Sequence, residues 1–572
     1  MDQLFLEIGV VIILATSLAY LSRLLKQPLI PAYIITGLCL GPIGLGLVKD
    51  PQLILTLSEI GIAFLLFVVG LELDFKRLKD IGMVASIGGT VQVFILFSLG
   101  FLAAVILNRF TQLETIYIGA ILAFSSTMVV VKLLSDKKAL DTLHGRIIIG
   151  ILLMEDIFAI IAISTLATIS HFSPYLVFIS LFKAIAVMAS AVLIGRFVFP
   201  PVFRFAAHSQ ELLFLMSLSV CFLFSIVANY IGFSIAIGGF IAGVTLGNLP
   251  YNIEIASRVK PLRDFFITLF FVSLGMQIMF ANLGSLVLPL LIFMIFVIAA
   301  KPFIIMIVAS LFGYTKRTSF LTAITLTQIS EFSLIIMAQG LALNHISQEI
   351  FTFGLLLAVA TMSLTPYLSK YQNTIYNALA ERLRFIERIG EDKDLGLTTQ
   401  QKYDVILIGY DRIGFSIAKT LLKMRERFLV VDYNPDIIKK LSREKTDCLY
   451  GDITDTEILE RISSQGARII VSTIPFAKEN LCLIKTIKRE NPKTVIFVTA
   501  NKVEEALKLY DNGADYVILP HFLGGDHVAV MLEKVGSDIN KLIKTKLRHI
   551  EELNSRKEMG HEHPVNSYKN DH

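Results

Sequence analysis

Apolar residues run along the first two thirds of the chain in blocks too long and too continuous for soluble helices. A membrane span needs about 20 predominantly apolar residues. That ruler predicts thirteen spans, near 4–22, 28–47, 52–70, 82–106, 115–134, 146–169, 174–198, 211–229, 232–248, 263–280, 285–312, 318–341 and 349–369. From Tyr403 the pattern changes. Val405-Ile406-Leu407-Ile408 reads as a buried strand, followed by a glycine turn and an amphipathic helix over 415–425. Phe428 to Asp432 reads as a second strand, and strands near 447–450, 468–472, 494–499 and 515–519 alternate with helical stretches. Repeated βαβ of this kind predicts a parallel sheet. The expected fold is a polytopic α-helical membrane domain over 1–370, a juxtamembrane helix and linker over 371–402, an α/β domain over 403–535 and a disordered polar tail over 536–572.

Loop charge orients the spans. Loops after odd-numbered spans carry Arg23 and Lys26; Lys76, Arg77 and Lys79; Lys137, Lys138 and Arg146; Arg196 and Arg204; Arg258 and Lys260; Lys316 and Arg317. Loops after even-numbered spans carry little beyond Lys49 and Arg109. The positive-inside rule then places the N-terminus outside a cell membrane and the α/β domain in the cytoplasm. The start, Met1-Asp2-Gln3-Leu4, lacks a basic region and reads as a retained first span, not a signal peptide.

Composition agrees. A chain of 572 residues with 54% hydrophobic residues and a mean hydropathy of +0.68 is no ordinary soluble protein. The net charge of +5 follows from basic membrane loops and implies no nucleic-acid partner. Cys39, Cys221, Cys448 and Cys482 show neither metal-ligand spacing nor a disulfide framework.

Against this apolar background a few polar residues carry the chemistry. Glu155 and Asp156 stand side by side within Gly150 to Ile160. A carboxylate at bilayer depth costs roughly 2.5–3.5 kcal/mol, so it marks a functional site. Successive helical residues point about 100° apart, so one acid can face a polar cavity while the other finds a partner. The pair fits a site for a proton or small cation; the bland reading is a buried acid satisfied by a neighbour. Ser125, Ser126 and Thr127 interrupt the fifth span, and Thr325 to Phe332, with Gln328 and Glu331, interrupts the twelfth. These side chains either replace backbone bonds at a helix break or bond back to the preceding turn. Two broken spans around a midplane acid fit a transporter in which half-helix ends face one ion site. Lys301 lies in an apolar stretch and either pairs with a carboxylate or snorkels to the interface.

The chain resembles the cation:proton antiporter-2 family. The resemblance rests on Glu59 to Leu73, on Ser125-Ser126-Thr127, on Gly145 to Leu153 with the acidic pair, and on Gly238 to Gly243. Pro261 to Phe266, Leu269 to Met276 and Gln328 to Phe332 extend it in family order across residues 1–370. With the α/β domain attached, the whole is similar to Kef-type potassium:proton antiporters. The resemblance implies thirteen spans with crossed, broken fifth and twelfth helices, a homodimer, elevator-like alternating access and exchange of K+ or Na+ for protons. It implies that Asp156 is the carboxylate for which protons and cations compete, with no resident metal beyond the transported ion. The residue before this aspartate is Gln in Kef-like members and Asn or Asp in others. Glu155 departs from the Kef pattern, and Lys301 aligns with the lysine that pairs with that preceding acid in electrogenic relatives, so stoichiometry stays open.

The α/β domain resembles the N-lobe of regulators of potassium conductance, a Rossmann-like nucleotide-binding unit. Its first turn is Gly409-Tyr410-Asp411-Arg412-Ile413-Gly414, and Asp432 follows about 20 residues on, where an acid bonds ribose hydroxyls. Gly451-Asp452 matches the position near the adenine, and Ser472-Thr473 the turn after the fourth strand. Asp411 stands where the second glycine is usual and would repel a pyrophosphate. The expected ligand is an adenine nucleotide, AMP or NAD(H)-like, with an empty structural lobe as the alternative.

Two other function classes would need features of their own. A ligand-gated potassium channel needs a filter of the Thr-Val-Gly-Tyr-Gly type, and the sequence has none. A membrane-tethered oxidoreductase needs a substrate domain after the Rossmann unit, so the chain reads as a transporter and not an enzyme.

Overall fold

The computed structural model describes residues 2–48, 51–72, 84–137, 139–140, 142–166, 191, 193–231, 234–279, 283–314, 316–379, 382–383, 402–410, 412–451, 453, 456–535 and 550. The chain divides into two compact units, Met1–Asp392 and Lys393–His572.

The first unit is helical. Every predicted span but the seventh coincides with a helix or a pair of helices; the seventh, 174–198, lies mostly outside the described residues. Among the described residues seven helices are long and apolar enough to cross a membrane, and shorter apolar helices cover Leu29–Leu40, Thr56–Leu71, Ile235–Gly247 and Glu331–Ala342. Ile106, Ile295 and Leu291 are largely exposed among the described residues, as suits a surface solvated by lipid. Two helices run far beyond their predicted spans: Asn252–Met276 begins earlier than 263, and Gln348–Leu379 runs past 369. A ruler for apolar residues stops where a helix turns amphipathic, although the helix itself continues.

Helix Pro51–Glu72 packs against Ile235–Gly247 and Asn252–Met276 with backbones almost touching. A Cβ at Gly243 would run into Phe67 O, and one at Gly61 into Phe266 O. Close approach of this sort is how membrane helices associate when burial from water cannot drive them.

The predicted fifth and twelfth spans are each two half-helices. Gln112–Ala123 and Thr127–Asp136 are separated by an extended Phe124, and Lys316–Thr325 and Glu331–Ala342 by residues 326–330. Ser126 caps its helix by accepting from Val129 N at 3.3 Å, and Ser330 by accepting from Phe332 N at 3.1 Å. These hydroxyls replace bonds lost at the breaks. The last helix lies along both pairs: Lys137 Nζ donates to Ser369 O (2.5 Å) and Gln372 Oε1 (2.8 Å), and the Phe320 and Tyr376 rings meet at 5.4 Å.

The second unit is a parallel sheet in the order β3-β2-β1-β4-β5-β6. Its strands are β1 Val405–Ile408, β2 Phe428–Asp432, β3 Cys448–Tyr450, β4 Ile469–Ser472, β5 Val495–Thr499 and β6 Tyr516–Ile518. β1 and β2 are buried throughout, as strands covered on both faces must be. The strand order reverses between β1 and β4, and ligands of such sheets bind outside the carboxyl ends at that point. Helix Arg412–Met424 follows β1, starting slightly before its predicted bound. The linker over 384–401 and, apart from residue 550, the tail lie outside the described residues.

Candidate ion-binding site

The breaks of the two interrupted spans cross, and side chains satisfy the helix ends exposed there. Ser125 Oγ donates to Leu326 O at 3.0 Å, and Gln328 Nε2 donates to Ser126 O at 3.3 Å. Lys301 Nζ donates to Phe124 O at 2.9 Å and to Gln328 O at 3.1 Å, carbonyls of the unwound residues that follow the C-terminal ends of the first half-helices. A cation suits these ends, where unpaired carbonyls gather partial negative charge. Glu331 does the converse: Oε1 accepts from Met128 N at 3.4 Å in the first turn of helix Thr127–Asp136. Lys301 is fully buried and immediately follows a π-helical turn, Phe296–Ala300, a distortion frequent at functional sites.

Glu155 and Asp156 part as successive helical residues should. Glu155 faces the break: Oε2 accepts from Ser125 N at 2.5 Å and Oε1 from Gln92 Nε2 at 2.8 Å. Lys301 lies near enough for the two charges to act on each other, yet its hydrogen bonds go to the carbonyls. Asp156 faces the other way, and the Thr127 hydroxyl bridges its Oδ1 and Oδ2 at 3.0 and 3.2 Å. Thr127 is half-buried, whereas Ser125, Ser126, Gln328 and Glu331 are buried. The crossing thus gathers all eight predicted residues, Ser125, Ser126, Thr127, Glu155, Asp156, Lys301, Gln328 and Glu331. Two participants went unpredicted. Gln92 is a carboxamide in a helix otherwise apolar but for Thr90 and Ser98, a signal akin to the one that singled out Lys301. Thr361 Oγ1 accepts from Ile329 N at 3.4 Å, and a single threonine gives no sequence signal.

In the α/β unit, Gly409 ends β1 with φ +86° and Gly414 opens the following helix. A Cβ at Gly414 would strike Gly409 O, so the turn needs glycine for its close approach. Thr473 Oγ1 donates to Ile408 O and Gly409 O, both at 3.1 Å, across the β1–β4 crevice. Asp432 accepts from Tyr410 N (Oδ2, 2.8 Å) and from Asn434 N (Oδ1, 2.8 Å), tying the glycine turn to the end of β2. Ile413 packs against the core beneath. Asp411 and Asp452 lie outside the described residues, as does the Arg412 side chain.

Residues 10–370 match the sodium/hydrogen exchanger transmembrane family, and residues 405–520 match the TrkA-N domain. The chain belongs to the sodium/hydrogen exchanger family. Among curated proteins it is 30% identical over 490 residues to a protein of Shigella sonnei named glutathione-regulated potassium-efflux system protein KefC, covering 84% of this chain and 77% of that one. The Escherichia coli protein of that name is 29% identical over the same shares. The solved sodium proton antiporter MjNhaP1 of Methanocaldococcus jannaschii aligns over 65% of this chain and 98% of its own, at 15% identity and a TM-score of 0.48. The TrkA-N domain of the Escherichia coli inner membrane protein ybaL aligns over 23% of this chain and 99% of its own, at 19% identity and a TM-score of 0.23. This is a multi-pass, Kef-type cation:proton antiporter with a cytoplasmic regulatory TrkA-N domain.

Proposed function

We propose that this antiporter exchanges potassium for protons and that Asp156 is the carboxylate both ions use in turn. One observation carries the assignment. Of the three acids at the crossing, Glu155 and Glu331 accept from main-chain N–H groups, whereas Asp156 meets the hydroxyl of the half-buried Thr127. A hydroxyl donates or accepts as it rotates, so it can serve a carboxylate, a carboxylic acid or a bound cation. Proton and cation exclude each other at the carboxylate, and that competition couples their opposing movements. Potassium is favoured over sodium by the relatives named as potassium-efflux systems. An adenine nucleotide, AMP or NAD(H)-like, would bind along Gly409, Ile413, Gly414 and Thr473, with Asp432 at the end of β2 toward a ribose. A homodimer with the N-terminus outside completes the reading.

The test uses proteoliposomes loaded with a pH-sensitive dye. Potassium added outside should drive proton efflux, sodium should drive less, and Asp156→Asn should reduce both to background. Sodium preference would overturn the potassium assignment, and exchange by Asp156→Asn would overturn the role of Asp156.

A further inference from the structure

We propose that Gln92 is a positioning residue: it ties Glu155 to the break in the fifth span and so leaves the exchange cycle to Asp156 alone. Gln92 is fully buried, four residues into helix Gly89–Leu107, directly after the π-helical turn Val84–Gly88. Its Nε2 donates to Glu155 Oε1 at 2.8 Å, while its own Oε1 is buried without a hydrogen-bond partner among the described residues. A buried acceptor without a partner is costly, and an apolar side chain of similar volume would avoid that cost. The amide is therefore there for its donor end.

The bond decides where Glu155 points. With Oε1 held by Gln92, Oε2 reaches Ser125 N at 2.5 Å and Ser125 Oγ lies 3.5 Å from Oε1. Glu155 thus serves as acceptor for an unwound turn. The charged groups around it are Lys301 from helix Lys301–Leu311, occupied by Phe124 O and Gln328 O, Asp156 next in sequence, and Glu331 across the break on Met128 N. Released from Gln92, Glu155 is free to turn toward Lys301 and to enter the cycle as a second proton carrier. The inference rests on Asp156 being the exchanging acid.

The experiment compares wild type, Gln92→Met, Glu155→Gln and the double variant of the full chain in proteoliposomes. Exchange is followed against pH with potassium as the driving ion, with and without a clamped membrane potential. Wild type should show one inflection with pH and indifference to potential. Gln92→Met, of similar volume, should lose rate on the order of tenfold and gain a second inflection and a dependence on potential. The double variant should match Glu155→Gln alone, because Gln92 acts only through Glu155. A Gln92→Met profile identical to wild type, or effects that simply add, would overturn the proposal. If Gln92→Met does not fold by thermal unfolding in detergent, Gln92→Asn, which keeps the amide but shortens its reach, is read the same way. Asp156→Asn run alongside separates the two claims: its residual exchange would refute the Asp156 reading, and the Gln92 cycle is scored by its own coupling to Glu155.

Discussion

Asp156 and Asp432 are equally buried, each 5% exposed, and they meet different donors. Asp432 is held by two main-chain N–H groups, from Tyr410 and Asn434. Such donors are fixed by the fold and cannot turn away, so this carboxylate fastens a loop. Asp156 meets a side-chain hydroxyl on Thr127, which rotates and can reverse its role. Burial alone does not mark a working acid in either unit. The donors differ in kind: the Thr127 hydroxyl on Asp156 can change role, whereas the main-chain N–H groups on Asp432 and Glu155 cannot.

The sharpest way to break this contrast is to neutralise both aspartates. Asp156→Asn should abolish exchange in a protein that still folds, as read by dye fluorescence and by thermal unfolding in detergent; unfolding would make Asp156 a fastening too. Next in size is Lys301→Met. Removing one member of a buried charge pair costs about 3–5 kcal/mol, and here it also strips the donor from Phe124 O and Gln328 O. The melting temperature in detergent should fall accordingly, and an unchanged one would mean the carbonyls find other donors. Asp432→Ala should then destabilise the nucleotide-free protein by about 1–3 kcal/mol, from the orphaned N–H groups. Loss of nucleotide affinity at unchanged stability, by calorimetry and thermal unfolding, would make its role ribose recognition alone.

The smallest effect belongs to Asp515. Burial pushes its carboxyl up, but hydrogen bonds from Lys488 and from Ile496 N, with the Lys488 charge, outweigh it and hold the group below the usual carboxylate range. A depressed folded-state value gives stability that is complete above the unfolded value and lost as pH falls through the folded one. Asp515 is substantially exposed, so solvent screening limits the contribution to roughly 0.2–1 kcal/mol. Asp515→Asn should flatten the acid side of the stability profile by that amount, and a steeper acid loss would refute the sign.

Much of this was legible in the sequence because the membrane makes polar residues conspicuous. Ser125, Gln328, Lys301 and Asp156 stand out against apolar neighbours, and the structure brings them to one crossing. The carbonyls of Phe124 and Leu326 could not be read, since every residue has one and only the break exposes these. Nor could the pairing of Gln92 with Glu155, whose partners lie 63 residues apart. In the α/β unit the periodicity gave strands and turns, while the occupation of Asp432 by Tyr410 N and Asn434 N depends on how two loops meet.

The glycines between helices Leu29–Leu40 and Asn252–Met276 reverse a familiar engineering rule. Gly→Ala inside a helix ordinarily stabilises, by limiting the unfolded chain and improving propensity. Here a methyl group at Gly37 would strike Val272 O, and one at Gly275 would strike Ile34 O. Each helix fills the other's only clearance, so enlarging either residue separates the backbones, and shrinking a side chain elsewhere makes no room. A search for more heat-tolerant variants of this protein should therefore leave that seam untouched and look for its alanines at positions such as Gly9, where an added carbon meets nothing within 4 Å among the described residues.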